Sequence, residues 1–222
     1  MKQTWLDLLF AHWPIPLAQM RPLVPAQLAL DTFTGQCWIG IVPFRMSGIR
    51  ARFLPPIPGL SALPELNVRT YVTHGGKPGV YFFSLDAASR PAVWGARTFY
   101  HLPYFHADVS TESHNGNIHY SSARRHSSAE FRGIYQPVSS VRPPASGTLE
   151  HWLTDRYCLY TIHQNQIYRC EIHHPPWPLQ DAKAAIEINS LAWAAGIELR
   201  STPPQLHFSK RQDVLIWPLR KA

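Results

Sequence analysis

The sequence predicts a mostly β protein with a few helices, folded as a barrel or a sandwich. Apolar and polar residues alternate along many short runs, which is the pattern of strands that bury one face. The 21 prolines are spread along the chain and interrupt long helices. In a chain of 222 residues, 45% hydrophobic and 16% charged residues indicate a folded domain with a substantial core. We expect residues 1–222 to form one domain.

The N-terminal part predicts a short helix, a strand and a proline-rich loop. Residues 16–24, bounded by prolines, predict the helix, and residues 35–46 predict the strand. The two faces of this strand carry Cys37, Ile39 and Ile41 on one side and Trp38 and Val42 on the other. Residues 51–65 are rich in proline but apolar, which predicts a loop that packs against the body or covers an opening.

The clearest motif is HGGKPG, at residues 74–79 between two β-prone runs. Glycines beside a lysine can form a phosphate loop, but that loop needs Gly-Lys-Ser/Thr followed by a helix. Here Lys77 is followed by Pro78, which has no N–H to offer, and then by the β-prone run VYFFSL. The motif therefore predicts a hairpin in which residues 66–73 pair with residues 79–86.

The middle of the chain predicts further strands. Residues 92–104 fit either a strand or a short helix that ends at Pro103. Strand candidates then follow at residues 105–110, 117–126 and 130–135. Residues 139–147, SSVRPPASG, are the clearest loop.

The C-terminal part predicts a second hairpin and two helices. A threonine N-cap predicts a helix over residues 148–155. Residues 157–163 and 167–174 predict a hairpin across QNQ. Residues 182–196 are the best helix candidate, ended by Gly196. Two short strands around LHFS and VLIW are expected to close the chain.

Charge and motif content exclude several classes of function. The net charge is +7, but the basic residues are scattered, so we expect no nucleic-acid partner. The 12 histidines show no HExxH or HxH spacing, and neither GxSxG nor GxGxxG occurs, so we expect no metal and no cofactor. No run approaches the roughly 18 apolar residues of a membrane-spanning helix.

Cysteine usage indicates the compartment. Cys37, Cys158 and Cys170 lie far apart, are odd in number and show no CxxC spacing. This pattern favours buried, reduced thiols over a disulfide framework or a structural zinc site. The N-terminal residues do not resemble a signal peptide, and we expect a cytoplasmic protein.

A row of polar residues on the first hairpin strand is the main candidate site. With a period of two, Glu65, Asn67, Arg69 and Tyr71 share one face. This face is either the solvent side of a half-buried strand or the interior of a barrel. In a barrel interior, the carboxyl, amide, guanidinium and phenol groups would converge on a ligand.

A second candidate is Arg97, which lies among Trp94, Phe99 and Tyr100 in the sequence. An arginine among aromatic residues is either a surface residue that extends its charged end into water or a buried anchor for an anion. A buried guanidinium needs a partner, and Glu65 or a ligand carboxylate would be the natural one.

Several segments, in this order and spacing, carry a resemblance to a known family: FAHWPI, LDTFTGQCWIGIVPFRM, ELNVRTYV, GVYFFSLDA and ARTFYHLPY. Together with the closing LHFS and VLIWPL, they resemble the uncharacterised YqjF-like family of bacterial proteins. That family is distantly similar to the acetoacetate decarboxylase-like superfamily. The resemblance implies a closed, cone-shaped antiparallel β-barrel with a central pocket.

The resemblance also implies which decarboxylase residues are kept. A glutamate of the decarboxylases corresponds to Glu65. The arginine of their Gly-Arg-Glu segment corresponds to Arg97, and Thr98 replaces the glutamate of that segment. Their Pro-Lys-Lys segment, whose first lysine forms a Schiff base, is replaced by Pro103-Tyr104-Phe105. A tyrosine cannot form an imine, so the barrel is expected without the decarboxylase nucleophile. Away from the ends of the sequence, only Lys210 has a neighbouring cation, Arg211, that could favour a neutral, nucleophilic amine.

We therefore expect an interior pocket that binds a small anionic or carbonyl-bearing organic molecule. The residues expected to line it are Glu65, Asn67, Arg69, Tyr81, Trp94, Arg97 and Tyr104. The two arginines would hold the anion, Glu65 and Tyr104 would supply hydrogen bonds, and Tyr81 and Trp94 would form apolar walls. Two alternatives stay open: a lyase or hydratase that uses Glu65 and Arg97, and an interaction or nucleic-acid-binding module. A homo-oligomer is also open.

Overall fold

The computed structural model describes residues 1–50, 55, 61–199 and 201–222. The strands, in chain order, are β1 Lys2–Ile15, β2 Ala29–Leu30, β3 Cys37–Arg50, β4 Leu63–His74, β5 Lys77–Ala87, β6 Tyr104–His114, β7 Asn117–Arg124, β8 Glu130–Pro137, β9 Cys158–His163, β10 Gln166–His173, β11 Gln180–Asn189, β12 Gln205–Ile216 and β13 Arg220–Lys221. The helices are α1 Leu17–Met20, α2 Arg90–Tyr100, α3 Leu149–Thr154 and α4 Leu191–Ala194, and a 3₁₀ turn at Arg21–Leu23 follows α1.

The strands form one sheet that closes on itself. β4 pairs with β3 on one side and with β5 on the other. From β5 the sheet continues through β6, β7, β8, β11, β12, β1 and β3 back to β4. This closure makes a barrel, so the predicted fold class is confirmed.

The barrel is not wholly antiparallel. β5 pairs in parallel with β6 and, at another point, with β9. Parallel neighbours need a crossover connection rather than a hairpin, and α2 supplies that crossover between β5 and β6. The expected antiparallel barrel is thus confirmed for most strand pairs, and these two pairs are the parallel ones.

Both predicted hairpins are confirmed. β4 and β5 pair up to a turn made of Gly75 and Gly76, whose φ angles are 57° and 74°. Positive φ at both central residues matches the twist of the strands, and glycine adopts it without steric cost. The second hairpin joins β9 and β10, and Gln164 and Asn165 form its turn.

Other predicted elements are also present. α1 lies within residues 16–24. β6 and β8 cover the strand candidates at residues 105–110 and 130–135, and β7 covers the candidate at residues 117–126 except for its last two residues. α3 begins after Thr148, whose hydroxyl accepts a hydrogen bond from the backbone N–H of His151.

The helix predicted over residues 182–196 is wrong for most of its length. The structure has β11 over Gln180–Asn189, and only the short α4 precedes Gly196. Side chains along β11 alternate between partly buried and exposed, and the strand pairs with β8. Sheet pairing and burial therefore override the helix preference of the alanine-rich run.

Two further segments differ from the simplest prediction. The ambiguous residues 92–104 contain most of α2, whose C-cap His101 has a φ of 51°, so the segment is mainly a helix. The two closing strands expected around LHFS and VLIW are one continuous strand, β12. The proline-rich loop predicted at residues 51–65 lies mostly outside the described residues, and β4 begins within it at Leu63.

The two faces of β3 pack into different parts of the core, as predicted. Cys37, Ile39 and Ile41 belong to one buried cluster, whereas Trp38 and Val42 belong to two others. All three cysteines are buried and free, which confirms the expected thiols, and burial raises the pKa of each. Within the described ranges, the helices are too short or too polar to cross a lipid bilayer.

Candidate functional site

A cavity of about 420 Å³ lies against β1, β3, β4, β5 and α2. Its size falls in the range of roughly 300–1,000 Å³ that accommodates small organic molecules. Most of its lining side chains are apolar. The polar and charged ones are Gln3, Glu65, Asn67, Arg69, Thr154, Arg156 and His174, together with the phenols Tyr100 and Tyr104. An apolar cavity with a few polar groups is typical of a ligand-binding site.

Strand β4 places three of the predicted residues along one wall of the cavity. Its alternation turns Glu65, Asn67 and Arg69 towards the cavity, while Leu66 and Val68 enter the buried cluster on the opposite face. At about 3.3 Å per residue, Glu65 and Arg69 are separated by about 13 Å along the strand. The wall therefore presents a carboxyl, an amide and a guanidinium group in that order.

Glu65 and Tyr104 form a buried hydrogen-bonded pair at one end of this wall. The hydroxyl of Tyr104, at the start of β6, donates to Glu65 Oε2 at 2.6 Å. Burial raises the pKa of Glu65 to about 7, against the opposing effect of the Tyr104 hydrogen bond, and the nearby negative charge of Asp86 raises it further. Burial and the Glu65 carboxylate hold the pKa of Tyr104 well above its usual value. Glu65 can therefore gain or lose a proton near neutral pH.

Arg69 lies at the other end of the wall. Its guanidinium carbon is 5.6 Å from the ring centre of Phe10 and 5.9 Å from that of Tyr71. Its Nε is buried without a hydrogen-bond partner, and among the described residues no carboxylate forms an ion pair with it. Contacts with aromatic faces stabilise the cation, but they leave it available to an anion.

A second arginine in the cavity, Arg156, was not recognised from the sequence. It forms an ion pair with Asp31, and its Nε donates to the backbone carbonyl of Trp152 at 2.8 Å. Its guanidinium carbon also lies 4.3 Å from the ring centre of Trp152. Because Arg156 precedes β9 in a connection without a regular pattern, no local signal in the sequence could place it here. Its charge is already compensated, which distinguishes it from Arg69.

A buried imidazole lies behind Arg69. His12 Nε2 and the hydroxyl of Tyr71 are 2.6 Å apart, and both residues are fully buried. Burial, followed by the positive charge of Arg69, lowers the pKa of His12 well below its usual value, so this imidazole is neutral. A Cβ at Gly40 would lie 2.9 Å from His12 Nε2, so the glycine provides the space that the ring fills. The sequence alone showed His12 only as an isolated histidine.

Helix α2 turns two of the predicted residues away from the cavity. Its cavity-facing residues recur at helical spacing: Pro91, Ala92, Gly95, Ala96, Phe99 and Tyr100. Trp94 is 64% exposed, and Arg97 is exposed with its Nε donating to the backbone carbonyl of Tyr104 at 2.6 Å. Trp94 as an apolar wall and Arg97 as a buried anion anchor are therefore wrong, because the helical period places both on outward faces.

Tyr81 also lies outside the cavity. On β5 the neighbouring Val80 and Phe82 face the cavity, whereas Tyr81 points to the other side and contacts Phe83 at 5.6 Å between ring centres. It lines a separate opening of about 380 Å³, called here the outer groove. The outer groove is formed by Tyr81, Phe82, Arg97, His101, Leu102, Pro103, Tyr160, Thr161, Ile162 and His163. The expectation that Tyr81 forms a pocket wall is corrected accordingly.

The five lysines all belong to the described residues, and none of them lines the cavity. Lys77, near the hairpin turn, donates to Glu171 at 2.5 Å. Lys210 is 69% exposed at its side chain and donates to Asp7 at 2.6 Å. Within the described ranges, no group of three or more His, Cys, Asp or Glu residues is arranged to hold a metal ion.

Residues 2–213 match the model of the DUF2071 family, described as an uncharacterized conserved protein. The chain is 53% identical over 222 residues to the uncharacterized protein YqjF of Bacillus subtilis (strain 168). That match covers 100% of this chain and 92% of the relative. The chain therefore belongs to the DUF2071 family, as the resemblance of its segments to YqjF-like proteins predicts.

Solved structures show the same fold at low sequence identity. An acetoacetate decarboxylase-like enzyme from Sphingomonas wittichii RW1 matches with a TM-score of 0.64 at 14% identity, over 100% of this chain and 92% of that one. Acetoacetate decarboxylase from Legionella pneumophila matches with a TM-score of 0.68 at 11% identity, over 100% and 86%. The enduracididine biosynthesis enzyme MppR, complexed with pyruvate, matches with a TM-score of 0.68 at 9% identity, over 99% and 89%. These likenesses establish an acetoacetate decarboxylase-like fold.

Proposed function

We propose that the cavity binds a small organic carboxylate, with Arg69 as the partner of the anion. One observation carries the proposal: Arg69 brings a positive charge into a mainly apolar cavity and forms no ion pair with a described residue. The Arg69 side chain is partly buried, and a charge that is partly withdrawn from water without an ion-pair partner is destabilised. A carboxylate that enters the cavity would remove that destabilisation and gain charge-assisted hydrogen bonds.

The other polar groups on the wall suggest how such a ligand is oriented. Asn67 Oδ1 is buried without a hydrogen-bond partner, so a hydroxyl or N–H group of the ligand would satisfy it. Glu65 and Tyr104, at the far end of the wall, can hydrogen-bond a carbonyl or hydroxyl oxygen. The proposed partner is thus a small molecule rather than a nucleic acid or a membrane, and the three free thiols support the cytoplasm as its location.

A matched pair of arginine variants tests the role of Arg69. We expect Arg69→Met to weaken the binding of a carboxylate probe, 4-phenylbutyrate, by at least about tenfold, because a charge-assisted contact is lost. Arg97→Met, on the outward face of α2, should leave the affinity unchanged. Isothermal titration calorimetry measures both, and circular dichroism checks that each variant is folded. Equal affinities for the wild type and a folded Arg69→Met would contradict the proposal.

A second candidate function is acid–base catalysis by Glu65 in a lyase or hydratase type of reaction. The observation that favours it is a buried carboxyl with a pKa of about 7, held by the Tyr104 hydroxyl at 2.6 Å inside the cavity. An acid or base works best when its pKa lies near the working pH. Because no lysine lines the cavity, this chemistry would proceed without an imine. Arg69, rather than the outward-facing Arg97, would be the electrostatic partner.

Proton exchange in heavy water tests this second candidate. If Glu65 removes a proton beside a carbonyl group, the protein should accelerate deuterium uptake at that carbon of 2-oxobutyrate, which nuclear magnetic resonance detects. The rate should rise with pH through about 7, because the base must be ionised. Glu65→Gln should reduce the rate at least about 100-fold. Exchange no faster than in buffer would exclude this role of Glu65 for that substrate class.

A further inference from the structure

The cavity has a polar wall along β4 and an otherwise mostly apolar lining, in which Gln3, Thr154, Arg156 and His174 are the further polar groups. The polar wall is the β4 row of Glu65, Asn67 and Arg69 with Tyr104 beside it. Opposite and around it lie aliphatic and aromatic side chains from β1, β3, β5 and α2. The volume of about 420 Å³ corresponds to about 14 water molecules at roughly 30 Å³ each. An acid of the size of pyruvate would leave most of this space empty or filled with water.

An aromatic surface extends from the anion site across the apolar part. Phe10, whose ring lies 5.6 Å from the Arg69 guanidinium carbon, contacts Trp177 edge-on at 4.9 Å between ring centres. Trp177 is stacked on Trp5 at 6.1 Å, and Trp5 contacts Phe44 edge-on at 5.6 Å. Trp177, Trp5 and Phe44 all line the cavity. Phe10 itself is fully buried, so a ligand held at Arg69 would meet the rings of Trp177, Trp5 and Phe44 on the cavity lining.

Trp177 carries a second buried and unpaired donor. Its Nε1 is buried without a hydrogen-bond partner, as is the Nε of Arg69. Both groups are donors, and both belong to side chains that pack on Phe10. An unsatisfied buried donor costs about 1–3 kcal/mol, so an oxygen-bearing group near this end would be stabilised. This agrees with a carboxylate at the Arg69 end and an apolar body beyond it.

Neither a small polar acid nor a neutral hydrocarbon suits both parts of the cavity. A small keto acid would pair with Arg69 but leave the aromatic surface against water or empty space. A hydrocarbon would cover that surface but leave the cation without an anion. We infer that the ligand is a carboxylic acid with an aromatic or extended aliphatic body, which occupies both parts at once. This inference rests on the proposed function and adds the chemical class of its ligand.

A set of matched probes tests the inference by isothermal titration calorimetry on the full chain. 4-Phenylbutyrate supplies the carboxylate and the apolar body, pyruvate only the carboxylate, and 4-phenylbutyramide only the body. We expect 4-phenylbutyrate to bind at least about 100-fold more tightly than pyruvate, since each buried methylene contributes favourably. It should bind at least about tenfold more tightly than the amide, which cannot form an ion pair.

A pair of helix variants checks that the apolar body lies in this cavity. Ala96 lines the cavity, whereas Thr98 lies on the exposed side of α2. Ala96→Phe should fill apolar space and weaken 4-phenylbutyrate at least about tenfold, with little effect on pyruvate. Thr98→Phe should change neither affinity.

The outcomes distinguish an error in the ligand class from an error in the carboxylate site itself. Pyruvate binding as tightly as 4-phenylbutyrate, with loss of both in Arg69→Met, would overturn the ligand class and leave the carboxylate site standing. Equal, tight binding of the acid and the amide would overturn the carboxylate site itself. Absence of binding by all three probes would count against both. Equal effects of Ala96→Phe and Thr98→Phe would show that the apolar body lies elsewhere.

Discussion

The cavity and the outer groove have similar volumes, about 420 Å³ and about 380 Å³, but they differ in how far their arginines are exposed to water. Phe82 and Leu102 line both, so one layer of side chains separates the two openings. Each opening also contains one arginine without an ion-pair partner among the described residues. Arg69 lies between aromatic rings in the cavity, whereas Arg97 is exposed in the groove.

The difference shows that the surroundings, rather than the residue type, decide what each arginine can do. An anion beside Arg97 would remain in contact with water, where screening reduces ion pairs to about 0–1 kcal/mol. An anion beside Arg69 would meet the charge in a mainly apolar space, where the same attraction is stronger. Other inner and outer groups of the molecule are expected to differ in the same way.

The largest effect is expected at two adjacent arginines, Arg124 at the end of β7 and Arg125 directly after it. Arg124 donates through Nε and Nη2 to Asp86, and the two side chains are only 7% and 0% exposed. Arg124→Met leaves the Asp86 charge buried and unpaired, so the free energy of unfolding should fall by about 3–5 kcal/mol. Arg125 pairs with Asp108, at 50% and 61% exposure, and Arg125→Met should cost less than about 1 kcal/mol. Urea denaturation measures both; losses of similar size would contradict the contrast between inside and outside.

An intermediate effect is expected from the protonation of Glu65. The folded protein retains the Glu65 proton up to about pH 7, whereas the unfolded chain releases it near its ordinary value of 4.5. The unfolded state therefore binds fewer protons between these values, and stability falls as pH rises through this window. The shift corresponds to about 3 kcal/mol, present below pH 4.5 and lost above pH 7.

Glu65→Gln should remove this part of the pH dependence. The free energy of unfolding is measured in urea from pH 4.5 to pH 8. It should fall with rising pH more steeply in the wild type than in Glu65→Gln. Glu112→Gln, at an exposed position of β6, is the matched control and should keep the wild-type profile. Identical profiles for wild type and Glu65→Gln would show that the buried carboxyl does not titrate as described.

The smallest change is expected from treatment with acetoacetate and borohydride, which should form no covalent adduct. Incubation with acetoacetate and borohydride should leave the intact mass unchanged, because Tyr104 lies in the cavity and no lysine does. Lys210 has Arg211 beside it in sequence, but its side chain is exposed and paired with Asp7. A stable adduct that disappears in Lys210→Met, together with loss of carbon dioxide release, would overturn this prediction.

The sequence predicts the polar wall of the cavity well because the alternation that aligns these side chains lies within one strand. A two-residue period over β4 and a glycine turn are enough to place Glu65, Asn67 and Arg69 on one face. Whether that face points inwards or outwards depends on closure of the sheet, which no local pattern contains. Tyr104 came from the resemblance to the decarboxylases, and the structure brings it to Glu65.

The remaining errors have physical causes that can be named. The sequence pattern places Arg97 and Trp94 in the pocket, whereas the helical period of α2 turns both outwards. Tyr81 alternates with its cavity-facing neighbours on β5. Trp177 and Arg156 reach the cavity from irregular connections, so only the folded chain brings them there.

A crystal structure with 4-phenylbutyrate tests the central claim most directly, because it shows which of the two openings takes the ligand. We predict density in the cavity, with a carboxylate oxygen about 2.7–2.9 Å from a nitrogen of Arg69 and the phenyl ring against Trp177 and Trp5. Density in the outer groove with the carboxylate on Arg97, and none in the cavity, would contradict the account.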